Sequence, residues 1–267
     1  MSRKTEVEKI ISEALAIEAE EAKKADAVGF MARALVQATM PHKKHAEPYF
    51  QRTNGNYELT MMAHPKIGLP YGSVPRLMMG WITTEAVRTK ERNLVLGDSL
   101  SSFMRELGLV PTGGRWGSIT RLKEQTKRLL TSSVSCCYDS KERLAGLNYS
   151  IASHYDLWWT PKSPDQLDMF QSTIRLSEGF YKEVTNRPVP VDMRALKALK
   201  RSPMALDAYC WLTYRMSYLS HETEIPWEAL QSQFGAGYAI SEQGTRNFKK
   251  KFLAQLQKVC AVYQQAR

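Results

Sequence analysis

The chain has 267 residues, 43% hydrophobic and 24% charged, a length that suits two domains better than one small module and a composition that excludes bulk disorder. Its formal net charge of +10 favours a polyanionic partner, nucleic acid first, through long-range attraction and counterion release. No stretch approaches the roughly 20 apolar residues of a membrane span. The opening MSRKTEVEKI lacks an apolar signal core, and Cys136, Cys137, Cys210 and Cys260 lack C-x-x-C spacing, so a cytoplasmic protein with reduced, mostly buried cysteines is expected.

Residues 5–39 contain no proline. Val7, Ile10, Ile11, Ala14, Leu15, Met31, Ala34, Leu35 and Ala38 recur there at threes and fours, which predicts one long helix or two. The acidic first part suits packing or self-association better than DNA. PHKKHAEPYFQRTNG reads as a linker, so residues 1–55 form an N-terminal helical region with its connection. Alternation of Tyr57, Leu59 and Met61 predicts a short edge strand. LPYGSVPRLMMGWITTEAVRT switches to helical spacing, and ERNLVLG returns to a brief strand.

Asp98 is the expected N-cap of a helix through Leu107, Gly108 ends it, and PTGGRWGS turns into a second helix near Ser118. A hairpin of residues 133–138 and 147–159 follows, with Leu147, Tyr149, Ile151, Tyr155, Leu157 and Trp159 on one face at period two. Helix, turn, helix and hairpin outline a winged-helix-like domain over residues 56–160. TPKSPD, residues 160–165, marks a boundary. Beyond it a strand near 170–176 and helices near 192–200, 203–219, 227–234 and 242–263 make a second winged-helix-like domain over 166–267. The fold class expected is mainly α with small β-hairpins (α+β), as tandem winged-helix domains.

Two helices are basic. In the first, Ile119, Leu122, Thr126, Leu129 and Leu130 gather on one side of a helical wheel and Thr120, Arg121, Glu124, Lys127 and Arg128 on the other. Arg115, Arg121, Lys123, Lys127 and Arg128 stand against Glu124 alone, the charge of either a solvated helix face or a helix at a DNA surface. In the last helix, Thr245, Phe248, Phe252, Leu256, Val259 and Tyr263 form a narrow stripe. Gln243, Arg246, Asn247, Lys250, Gln257 and Lys258 then point outward, with Lys251 on the flank. Gln, Arg and Asn near a helix N-terminus have the donor and acceptor geometry to read purine edges in a major groove, and lysines behind them suit phosphates. A DNA-reading role is preferred here over an ordinary charged surface helix.

Nothing points to catalysis, a metal or a cofactor. The histidines His42, His45, His64, His154 and His221 include no His-apolar-His pair, and His42 and His45, flanking Lys43 and Lys44, are expected at the surface. PYGS and PTGGRWGS are too short for a nucleotide-phosphate loop. Trp158, Trp159 and Trp211 could stack on unpaired bases, but core packing is the better expectation.

The blocks LPYGSVPR, WITTEAVRTK and ELGLVPTGGRWGSITRLKEQ, within residues 69–130, resemble the core of the plasmid-encoded RepA replication-initiator family. The likeness continues more loosely through SEGFYKEVTNRPVPVDMRALKALKRSPMALDAYCWLTYR and FKKKFLAQLQKV. The resemblance implies a protein that binds repeated double-stranded sites in a plasmid origin, helps open the duplex, and recruits the host initiator and replicative helicase. It also implies tandem winged-helix architecture and a monomer that initiates alternating with a homodimer that represses, a form of plasmid copy control. A winged-helix transcriptional repressor without initiator activity, or an origin-nicking nuclease, are the competing readings.

Overall fold

The computed structural model describes residues 26–158 and 171–263, together with Ile10 and Ile17. In chain order its elements are β1 (Val28–Met31), α1 (Arg33–Gln37), β2 (Tyr49–Asn54), β3 (Tyr57–Met62), α2 (Ser73–Thr89), β4 (Asn93–Val95), α3 (Leu100–Glu106), α4 (Ser118–Leu130), β5 (Ser133–Asp139), β6 (Leu144–Ser150), β7 (Ala152–Asp156), β8 (Thr173–Leu176), α5 (Glu178–Asn186), β9 (Val189–Asp192), α6 (Met193–Leu199), α7 (Pro203–Met216), α8 (Trp227–Phe234) and α9 (Glu242–Val262). All strand pairings among these residues are antiparallel, giving a mixed α+β fold.

The first sheet corrects the reading of residues 5–39 as helical. β1 pairs with β9, Val28 opposite Asp192 and Met31 opposite Val189, and only the five residues of α1 are helical behind it. Met31, Ala34 and Leu35 are buried in either conformation, so their spacing did not discriminate. Gly29 suits the close approach of this pairing, because a Cβ there would lie 2.3 Å from the sulfur of Met193, which follows β9. Ile10 and Ile17 are helical and pack on the core; the rest of that expectation lies outside the described residues.

The second sheet runs β2-β3-β5-β6. It corrects two further readings: the supposed linker contains a strand, and β3 is internal rather than at an edge. The reason is the Gly55-Asn56 turn, where Gly55 takes a φ of 60° and folds β2 back onto β3, burying Phe50 and Arg52 beside Leu59 and Met61. The expected long strand of residues 147–159 is also two strands. It breaks at the fully buried Ile151, where β6 leaves the second sheet and β7 joins a third of order β4-β8-β7. Leu147 and Tyr155 are consequently 40% exposed rather than on one buried face, and Trp159 lies outside the described residues.

The helices follow the sequence more closely. Ser99, not Asp98, caps α3, its hydroxyl accepting from the Ser102 amide, and Gly108 takes the left-handed conformation after that helix. Asp192 and Ser202 cap α6 and α7. α5 and β9 were not foreseen, although Ser177 caps α5 and Phe180 and Val184 give it a buried face. TPKSPD lies outside the described residues. The sheets nonetheless join all three sequence regions, β1 to β9, β2 to β3 and β4 to β8.

α2 runs through the middle of this arrangement and is buried on most sides, from Leu77, Met78 and Met79 to Trp81, Ile82 and Ala86. α4 packs on it from one direction and α7 from another. Its Arg76 meets Asp207 of α7 side-on, Nε to Oδ1 and Nη2 to Oδ2 both at 2.7 Å. The remaining guanidinium protons go to the carbonyls of Met40, Pro41 and Gly72, so all five N–H donors are used. His42 Nε2 adds a hydrogen bond to Asp207 at 2.8 Å. His42 is therefore not the surface histidine expected from its lysine neighbours: it is the outer end of a buried charged network.

Candidate nucleic-acid interface

The last helix is built to present one face. Ser241 caps α9 by accepting from the Gly244 amide, and Glu242 sits in the first turn, where the helix dipole favours an anion. Gly244 allows the preceding turn to close on the helix, since a Cβ there would fall 2.0 Å from the Ala239 carbonyl oxygen. Phe248, Phe252, Val259, Gln255 and Val262 are buried, with Thr245 and Leu256 half-buried. Phe248 and Phe252 lock edge-on against Trp227 of α8, with ring centroids 6.4 and 6.2 Å away. This aromatic wedge fixes the rotation of α9 about its own axis.

With that rotation set, Gln243, Arg246, Asn247, Lys250 and Gln257 are exposed. The Gln243 amide donates to Asn247 Oδ1 at 3.0 Å, and Arg246 pairs with Glu242 one turn back. Lys249 instead lies over the Trp227 ring, 5.2 Å from its centroid. Lys251, exposed, and Lys258, half-buried, turn away from this face toward a cavity beside the helix. The predicted set of α9 cations thus divides between two surfaces.

α8, the turn of residues 235–241 and α9 follow one another in helix, turn, helix order, with Ile240 of the turn fully exposed. α3, the loop of residues 107–117 and α4 repeat that outline, and the β5–β6 hairpin follows. α4 buries Ile119, Leu122, Gln125, Thr126, Leu129 and Leu130. Arg121, Lys123 and Lys127 are exposed. Arg128 is not: its side chain is 11% exposed, bonds Glu124 at 2.7 Å and the Leu69 carbonyl at 3.3 Å, and lies over the Tyr71 ring. The wheel placed Arg128 on the outer side, but its length lets it fold back over the segment that enters α2.

Arg115 is exposed and stacks its guanidinium over Trp116, 5.2 Å from the ring centroid. Trp116 itself is 82% exposed, beside the N-terminus of α4. It escaped the sequence reading, which weighed Trp158, Trp159 and Trp211 instead. Trp211 is indeed core, but Trp158 is 45% exposed, which corrects its assignment to the interior. The glycines around Trp116 in PTGGRWGS mark a loop but do not tell whether its ring is exposed. Among the described residues, no group of His, Cys, Asp and Glu could hold a metal ion, and no helix is long and apolar enough to cross a membrane.

A family model described as plasmid-encoded RepA protein matches residues 69–229, more than half of the chain. The chain belongs to that family. The matched span covers α2 through the start of α8, and so includes α4 but stops before α9. No curated protein matches the sequence. Among solved structures, this RepA-family chain is similar to the crystal structure of RctB domains 2–3, residues 155–483, with a TM-score of 0.53 at 9% identity over 84% of this chain and 82% of that one. A selenomethionine derivative of RctB domains 2 and 3 gives a TM-score of 0.54 at 10% identity, over 84% and 81%. At such identities the likeness is one of fold.

Proposed function

We propose that this protein is a plasmid replication initiator that binds double-stranded origin DNA through two winged-helix-type units. α9 enters a major groove and α4 supplies a second, mainly phosphate-directed contact. The observation that carries the reading is the outward face of α9: Gln243, Arg246, Asn247 and Lys250 lie together, exposed, at the N-terminal end of the second helix in this helix, turn, helix order. Membership of the RepA family supports the initiator role, and the α3–α4 outline followed by the β5–β6 hairpin supports a first winged unit. Local opening of the duplex and recruitment of the host initiator and helicase follow from the same reading. It is non-catalytic: supercoiled origin DNA incubated with the protein and a divalent metal stays uncut.

The direct test is Arg246→Ala combined with Lys250→Ala. Loss of one base contact and one phosphate contact is expected to weaken origin binding by about 2–4 kcal/mol and to lower the log–log salt slope by about one unit per lost phosphate contact. Thermal unfolding should be unchanged, because both side chains are exposed. Undiminished origin binding by the double variant would refute the role of α9.

A further inference from the structure

Beside α9 lies a cavity of about 620 Å³ whose wall brings together parts of the chain far apart in sequence. The segment after α1 contributes Lys43 and Lys44, the approach to α7 contributes Arg201, and α9 contributes Lys251 and Lys258. Among the described residues, no Asp or Glu lines it. Asp207, just behind the wall at His42, is already engaged by Arg76. A concave, low-dielectric site ringed by cations of one sign focuses the field on an anion more strongly than the same charges spread over a convex face. α7 begins at the rim with Ser202 and Pro203, and its N-terminal dipole adds to the positive potential.

The space is larger than one inorganic phosphate needs and falls within the range of small-ligand sites, roughly 300–1,000 Å³. Part of its wall is uncharged, formed by Phe50, Met204 and Tyr238. Gln255 also lines it, 5% exposed, and its Oε1 has no hydrogen-bond partner among the described residues. The terminal carboxamide torsion is soft, so this acceptor can turn to meet a donor carried by an occupant. Cations at the rim, an apolar wall and an unmatched acceptor suit an organic phosphate rather than a bare anion.

We propose that this cavity is a phosphate-ester site, filled by a nucleotide phosphate with part of its attached sugar and base. Two sources share that chemistry: a free nucleotide, and the backbone of DNA already held by α9. The first is independent of the DNA-binding reading of α9, and the second rests on it.

A lysine-protection footprint on the full chain tests the site. Lys43, Lys44 and Lys251 are acetylated by a water-soluble reagent and quantified by mass spectrometry with ATP, an origin duplex, or sodium sulfate at matched ionic strength. Severalfold slowing at all three lysines is expected with ATP or duplex and not with sulfate. Protection by ATP identifies the free nucleotide as the source, and protection by duplex alone identifies the DNA backbone. Equal protection by sulfate, or no protection by any probe, overturns the proposal. The Arg246→Ala, Lys250→Ala variant separates the two readings: its failure to alter DNA binding would count against α9, while ATP protection of the cavity lysines would be unaffected.

Discussion

The two basic helices began with the same description, an amphipathic segment with cations opposite an apolar stripe, and the fold treats them differently. α4 folds one of its cations inward: Arg128 spans to the Leu69 carbonyl and Tyr71, tying the helix to the entry of α2. α9 is held by aromatic rings instead, so Gln243, Arg246, Asn247 and Lys250 remain at the surface while Lys251 and Lys258 turn to a cavity. A row of cations on a wheel is thus not one functional unit. A long guanidinium within reach of a carbonyl becomes part of the scaffold, and a cation on the side of the helix away from its apolar anchor stays exposed.

The two helices are carried by α2 and α7, and the Arg76–Asp207 pair joins those carriers. Asp207→Ala should therefore have the largest effect, about 3–5 kcal/mol by denaturant unfolding, because it strands the Arg76 charge in the interior. A loss below about 1 kcal/mol would mean that water reaches Arg76 and that the halves are less firmly joined than the geometry indicates. Next comes the contrast within α4. Arg128→Ala should cost about 1–3 kcal/mol through a buried carbonyl left without its donor. Arg121→Ala with Lys127→Ala should leave stability within about 0.5 kcal/mol while weakening DNA binding evenly across sequences. If Arg128→Ala weakens DNA binding with no change in stability, the assignment of Arg128 to the scaffold is wrong.

Proton linkage gives a gentler probe of the junction. Burial would raise the Asp207 carboxyl, but Arg76 and His42 outweigh it and hold it below its ordinary value of 3.8. Burial lowers His42 below its ordinary 6.5, against the pull of Asp207. In both cases the unfolded chain takes up the proton at higher pH than the folded one, so acidification favours unfolding. Stability should be fully present above about pH 6.5, decline as His42 is forced to protonate, and decline again as pH falls through the folded value of Asp207. His42→Gln should remove the first decline and keep the second, as read from melting temperatures across pH.

Much of the helical part was legible because caps and periodicity are local. Asp192, Ser202 and Ser241 each accept a backbone amide within their own first turn, and α8 begins and ends where the residue pattern placed it. The strands were less legible. Val28–Met31 reads as helix until Val189–Asp192 is brought beside it, and Ile151 marks a break only because two sheets meet there. The outer face of α9 could be read from its wheel, whereas the exposure of Trp116 could not, since an aromatic in a loop carries no periodicity.

The sequence by itself determined the helices, their apolar faces, the basic charge and, through its RepA-like blocks, the family. Those properties depend on neighbours within a few residues or on blocks that stay together along the chain. Only the tertiary structure decided which strands pair, that Arg76 is neutralised by Asp207 across 131 positions, and that Lys43 and Lys44 share a cavity with Lys251 and Lys258. Pairing and charge compensation depend on distance in space, and the order of residues fixes that distance only after the chain has closed on its core.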